Sequence, residues 1–106
     1  MNTAIQTGIK SPSVGNGELY VLKSPYNGHR YVVASVAQTS RHNTCETMVF
    51  PANRYGEVED FGELAAVAGM NVSGAFAQIG YAVQPMNRKD EAEKVQRFLR
   101  RVFGAW

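Results

Sequence analysis

Glu18-Leu-Tyr-Val-Leu-Lys-Ser-Pro-Tyr-Asn-Gly-His-Arg-Tyr-Val-Val-Ala-Ser-Val36 carries the clearest local signal in the sequence. Asn27-Gly28 supplies the two positive-φ positions of a type I′ turn, and both flanks are rich in the β-branched and aromatic residues that suit strands. A β-hairpin is therefore predicted. With Asn27 and Gly28 as the only loop residues, Leu22 faces Val33, Tyr20 faces Ser35 and Tyr31 faces Ser24. That register gives one face Leu19, Val21, Val32, Ala34 and Val36, and the other Tyr20, Leu22, Tyr31 and Val33. Both faces are largely apolar, so both need cover, from a helix or from another subunit.

Further along, Glu46 to Phe50 reads as a third strand stopped by Pro51, whose missing N–H cannot continue a central ladder. Asn53-Arg-Tyr-Gly56 reads as a turn with Gly56 in the left-handed region, leading into Glu57 to Phe61 as a short edge strand. Residues 62 to 70 have helical composition interrupted by Gly62 and Gly69. Near 73–80 a short helix is expected, with Ser73 as N-cap, running through Ala75, Phe76 and Ile79, and Gly80 as its stop. The strongest helical signal spans about residues 88 to 103, where Ala92, Val95, Leu99, Val102 and Trp106 recur at spacings of three and four. The predicted fold class is α+β: a three- to four-stranded antiparallel β-sheet, a meander around the Asn27-Gly28 hairpin, packed by that C-terminal amphipathic helix. Residues 1–16, rich in Gly, Ser, Thr and Asn, read as a flexible N-terminal arm before a single α+β domain at 17–106.

A length of 106 residues fits one domain, and a single cysteine, Cys45, allows no intramolecular disulfide. The first 17 residues lack a charged start and a continuous apolar run, and no stretch approaches the ~18 apolar residues of a membrane span. A cytoplasmic protein with no membrane association is expected. The formal net charge is +2, unevenly placed: Arg88 to Arg101 holds six basic and three acidic residues, the remainder five basic and six acidic. The positive excess thus belongs to the C-terminal helix, where Lys94, Arg97 and Arg101 form one ridge.

Catalytic chemistry finds little support. His42 and Cys45 lie three apart, but a Cys-His pair needs a third group orienting the imidazole, and its members usually come from distant parts of a fold. His29, His42 and Cys45 lack the paired spacing of a metal site and are one ligand short of a closed tetrahedron. The acids Glu57, Glu59, Asp60 and Glu63 read as a solvated edge. No phosphate loop occurs. No catalytic residue, metal or cofactor is expected. Aromatic and arginine anchoring dominates protein interfaces, and on that ground Tyr20, Tyr31, Arg97, Arg101 and Trp106 are the candidate partner-binding residues. A protein partner and a homodimer are expected, with nucleic acid bound by the basic C-terminal helix as the alternative.

The segment E-T-M-V-F-P-A-N-R-Y-G-E-V-E-D-F-G-E-L at 46–64, followed by I-G-Y at 79–81, resembles small proteins of phages and prophages. The resemblance implies a class of protein without enzyme motifs that binds or inhibits a host or phage protein, nucleases and defence complexes included, or fills a structural role. It assigns no residue a role.

Overall fold

The computed structural model describes residues 2–39, 44–69, 71–85 and 97. They form six strands and one short helix: β1 (Asn2–Lys10), β2 (Glu18–Tyr26), β3 (His29–Thr39), β4 (Thr44–Ala52), β5 (Ala65–Ala68), α1 (Val72–Gln78) and β6 (Tyr81–Pro85). One sheet runs in the order β5-β4-β3-β2-β1-β6. All neighbours are antiparallel except β1 and β6, which run parallel. The fold is thus mostly β and its sheet mixed, which corrects the expected three- to four-stranded antiparallel α+β arrangement. The helix expected at 88–103 lies outside the described residues apart from Arg97, which is helical and exposed.

The largest departure is at the N-terminus. Residues 2–10, within the expected flexible arm, form a strand in the sheet interior, between β2 and β6. Ala4 and Ile5 are buried at 0% and 2% exposure. Polar side chains here bond inward. Ladder pairing slips between Gln6 and Lys10. At that bulge the Glu18 carboxylate accepts from the Gly8 N–H at 3.0 Å and from Gln6 Nε2 at 3.2 Å, while Thr7 Oγ1 donates to the Leu19 carbonyl at 2.6 Å. Composition alone cannot show such partners, because they come from β2.

The hairpin forms where expected, with Asn27 at φ 50° and Gly28 at φ 80°. Tyr26 faces His29 across it, but beyond this pair the register changes: Val21 faces Tyr31, Tyr20 faces Val32 and Leu19 faces Val33. Between the two regions β2 spends four residues, Leu22 to Pro25, against one on β3, Arg30. Pro25 lacks the N–H a regular ladder would need. The excess of three is odd, so every partner above it changes face. Tyr20 and Leu22 join Val32 and Ala34 on one side, while Leu19 shares the other with Tyr31 and Val33. Tyr20 and Tyr31, expected on one face, lie on opposite faces. The bulge is held from β6, where the Tyr81 hydroxyl donates to the Ser24 carbonyl and its ring meets Tyr26 edge-on at 6.4 Å.

α1 covers the Tyr20 face. Its N-cap is Asn71, whose Oδ1 accepts from Gly74 N at 2.9 Å, two residues before the expected Ser73. Gly80, at φ 82°, ends it as expected. Phe76 is fully buried against Tyr20 with ring centroids 4.7 Å apart. The helix links opposite sheet margins, β5 and β6, and packs against both. Seven helical residues span only ~10 Å, whereas six strands laid flat span ~24 Å. The sheet must therefore curl, and it does. The opposite face is closed by the 11–17 loop, which brings Val14 onto Leu19 and Val33, together with Val58.

Removal of residues 2–10 is expected to abolish cooperative unfolding in a urea titration followed by circular dichroism, since β2 and β6 both lose their shared neighbour. A mobile arm would be removable without that effect. In the same titration Phe76→Ala should lower the unfolding free energy by about 3–5 kcal/mol.

Candidate functional site

Residues 53–64, between β4 and β5, leave the sheet at the end where the hairpin turns. Tyr31 pairs with Ala52, so the residues before one and after the other, His29-Arg30 and Asn53-Arg54, emerge side by side. Asn53 organises the turn. Its Oδ1 accepts from Tyr55 N at 2.9 Å and Glu57 N at 3.1 Å, and its Nδ2 reaches Glu57 Oε1 at 3.3 Å. Its backbone N–H donates to the Glu57 carbonyl at 2.9 Å and its carbonyl accepts from Gly56 N at 3.0 Å. Gly56 takes the expected left-handed conformation, φ 80°, and a Cβ there would lie 3.3 Å from Ser11 Cα. Ser11 Oγ donates to the Gly56 carbonyl, tying the turn to the loop after β1.

The two central residues of this turn, Arg54 and Tyr55, consequently point to solvent, Tyr55 with 51% of its surface exposed. With Arg30, Tyr31, His29 and Glu59 they line an open cleft of about 470 Å³. Burial raises the Tyr31 phenol pKa above its usual value of 10, against the lowering pull of the Arg30 and Arg54 charges. Beyond the turn, Val58 bridges to Ala52 and Glu59 N donates to the Pro51 carbonyl at 3.4 Å, holding the chain to β4. Glu57 to Phe61 therefore makes one bridge and no fourth strand, which corrects that expectation. Glu57, Glu59, Asp60 and Glu63 are exposed, and Asp60 Oδ1 accepts from Gly62 N at 3.0 Å. Phe61 is 66% exposed and meets Phe50 edge-on at 5.8 Å.

Of the residues expected to contact a partner, the structure brings only Tyr31 to this cleft. Tyr20 is 4% exposed and belongs to the core under α1. Its phenol pKa is pushed up to about 12 by burial, with the Glu18 carboxylate adding to the effect. Arg97 is exposed in a helical position, and Arg101, Trp106 and His42 lie outside the described residues. Cys45 sits in β4, paired with Gln38. Among the described residues no three His, Cys, Asp or Glu side chains group as metal ligands, and no helix is long and apolar enough to cross a membrane. Arg54, Tyr55 and Phe61 escaped sequence reasoning. The signal was present, since the central residues of an Asn-x-x-Gly turn are displayed outward whatever their type.

A second cleft of about 490 Å³ between α1 and β6 is lined, among the described residues, by Ser73, Ala77, Gly80, Tyr81, Ala82 and Val83, none of them charged. Of these two clefts, the first is the one where described charged and aromatic side chains converge. No family model, curated protein or solved structure matches the chain. The site is accordingly described by its own chemistry: two guanidiniums and two phenols beside a carboxylate-rich segment with an exposed phenyl ring.

Asn53→Ala removes three side-chain hydrogen bonds and is expected to lower stability by about 1–3 kcal/mol in denaturant titrations, with Asn53→Asp costing less because Oδ1 acceptance is kept. The raised phenol pKa of Tyr20 has a further consequence. Between pH 10 and 12 the unfolded chain has lost that proton and the folded chain has not, so stability falls as pH rises. Melting temperatures should hold up to about pH 10 and decline above it, and Tyr20→Phe should flatten the decline.

Proposed function

We propose that the protein is a non-enzymatic binding module that engages a partner protein through the surface formed by His29–Tyr31 and the 53–63 segment. The carrying observation is the Asn53-anchored turn, which holds Arg54 and the exposed ring of Tyr55 beside Arg30 and Tyr31. Tyr and Arg on a rigid support are the residues that anchor protein interfaces, because a large contact area is offered with little side-chain ordering. The exposed Phe61 extends the surface. Such a surface asks for a partner that brings carboxylates to the arginines, cations to the acids and an apolar seat for two rings.

Binding rather than catalysis is favoured by the composition of the cleft. Arginine stays protonated at any working pH and cannot act as a general base. Among the described residues that line it, the cleft holds no cysteine, serine or threonine to serve as a nucleophile beside its histidine, His29, and its carboxylate, the exposed Glu59.

The test is a photo-crosslinking side chain placed at Tyr55, with Gln78 on α1 as the control position, in cells expressing the protein. A protein adduct is expected at Tyr55, absent at Gln78 and lost when Arg54→Glu is added. Adducts of nucleic acid alone, together with a gel shift that weakens steeply with salt, would contradict this reading and favour the nucleic-acid alternative.

A further inference from the structure

The sequence contains two Asn-Gly steps, Asn16-Gly17 and Asn27-Gly28. An asparagine followed by glycine is open to attack from within the chain, because the nitrogen that must reach the side-chain amide has no Cβ beside it to shield it. Both asparagines are exposed, but their glycines stand in different surroundings. Gly28 lies at the exposed hairpin tip, with open space where a Cβ would stand. Gly17 is buried, its N–H donates to the Val14 carbonyl at 3.1 Å and its carbonyl accepts from Ser11 N at 2.9 Å. A Cβ on Gly17 would lie 2.7 Å from Val33 Cγ1.

The two steps also differ in how readily they can move. Ring closure requires rotation about the asparagine Cα–C bond, out of the turn conformation. Between the hairpin tip and the irregularity of β2, the ladder supplies the pair Tyr26 with His29, so the tip can open without disturbing the register below it. The same motion at Gly17 would withdraw it from Val14, Ser11 and Val33. Asn53 and Asn71 are restrained differently. Their Oδ1 atoms accept from Tyr55 N and Glu57 N, and from Gly74 N, and the residues that follow them are Arg54 and Val72, whose side chains crowd the attacking nitrogen.

We propose that Asn27 is a site of self-modification, converting to aspartate and isoaspartate in the folded protein, while the fold protects Asn16. Hydroxide takes the Gly28 amide proton, and the nitrogen attacks Asn27 Cγ. A nitrogen–carbon bond forms, the side-chain amide leaves as ammonia, and a five-membered imide remains. Water then opens the ring. Cleavage at the side-chain carbonyl leaves aspartate, and cleavage at the backbone carbonyl leaves isoaspartate, whose main chain runs through the former side chain. The sum is one water consumed and one ammonia released, with no change of oxidation state. The product puts a carboxylate next to Gly28 and His29, which line the cleft, and the isoaspartate form lengthens by one methylene a turn built for two residues. The reaction needs no partner, so it stands apart from the binding reading above.

Peptide mapping tests it directly. Trypsin, cutting after Lys10, Lys23 and Arg30, puts the two steps on separate peptides, 11–23 and 24–30. The folded chain is held in mildly alkaline buffer over several days and then digested, with an unincubated sample setting the background. Peptide 24–30 should accumulate two chromatographically distinct acidic forms, each heavier by the amide-to-acid difference, and faster as pH rises. Conversion in peptide 11–23 should be slower by about tenfold or more, the factor that a local opening cost of only ~1.4 kcal/mol imposes. In guanidinium chloride the two peptides should convert at similar rates, which assigns the difference to the fold. Similar rates in the folded chain would overturn the proposal, as would an Asn27 that keeps its amide when folded while both asparagines convert in denaturant.

Discussion

The odd register change within the β2–β3 ladder decides which side chains reach each face of the sheet. Four residues of β2 against one of β3 carry the pairing from Tyr26 opposite His29 to Val21 opposite Tyr31. Side chains alternate across a sheet, so an odd offset reassigns every partner to the other face. Tyr20 thereby joins Val32, Ala34 and Phe76 in the larger core, and Tyr31 joins Val33 and Ala52 on the opposite side. Pro25 makes a continuous ladder unfavourable, and the Tyr81 hydroxyl satisfies the bulged carbonyl of Ser24. Bulges are well suited to this role, since they re-aim side chains without breaking the sheet.

From that assignment the site follows. Tyr31 faces away from α1, and its pairing with Ala52 sets the ends of β3 and β4 beside one another. The Asn53 turn continues from Ala52, and Ser11 clasps it from the loop after β1. Arg30, Arg54, Tyr31 and Tyr55 reach one cleft although they come from two segments. The core and the site thus share a cause: the same register that buries Tyr20 delivers Tyr31 to the surface where the arginines stand.

Much of this was legible locally. The Asn27-Gly28 hairpin, the left-handed Gly56 and the stop at Gly80 depend on backbone conformations that short motifs specify, and all three are present. What depended on distant partners was not legible. β1 contains Gln6, Thr7 and Gly8, polar or flexible residues that suggest an arm until Glu18 and the Leu19 carbonyl arrive to bond them. Ala65 to Ala68 is weak strand sequence by composition and becomes β5 because β4 offers it a ladder. Ser73 reads as the cap, yet Asn71 performs the role, and a boundary shift of that size is ordinary for helix ends. Of the candidate cleft, Tyr31 is the residue that aromatic character singles out in the sequence, whereas Arg54 and Tyr55 are displayed because a turn presents them.

Cross-strand backbone nuclear Overhauser effects in an isotopically labelled sample measure the register of β2 against β3. Contacts linking Tyr20 with Val32 and Val21 with Tyr31 are expected, together with Tyr26 and His29 at the turn. Contacts linking Tyr20 with Ser35 and Val21 with Ala34 would mean an unbroken two-residue hairpin, with Tyr20 and Tyr31 on one face, and would contradict it.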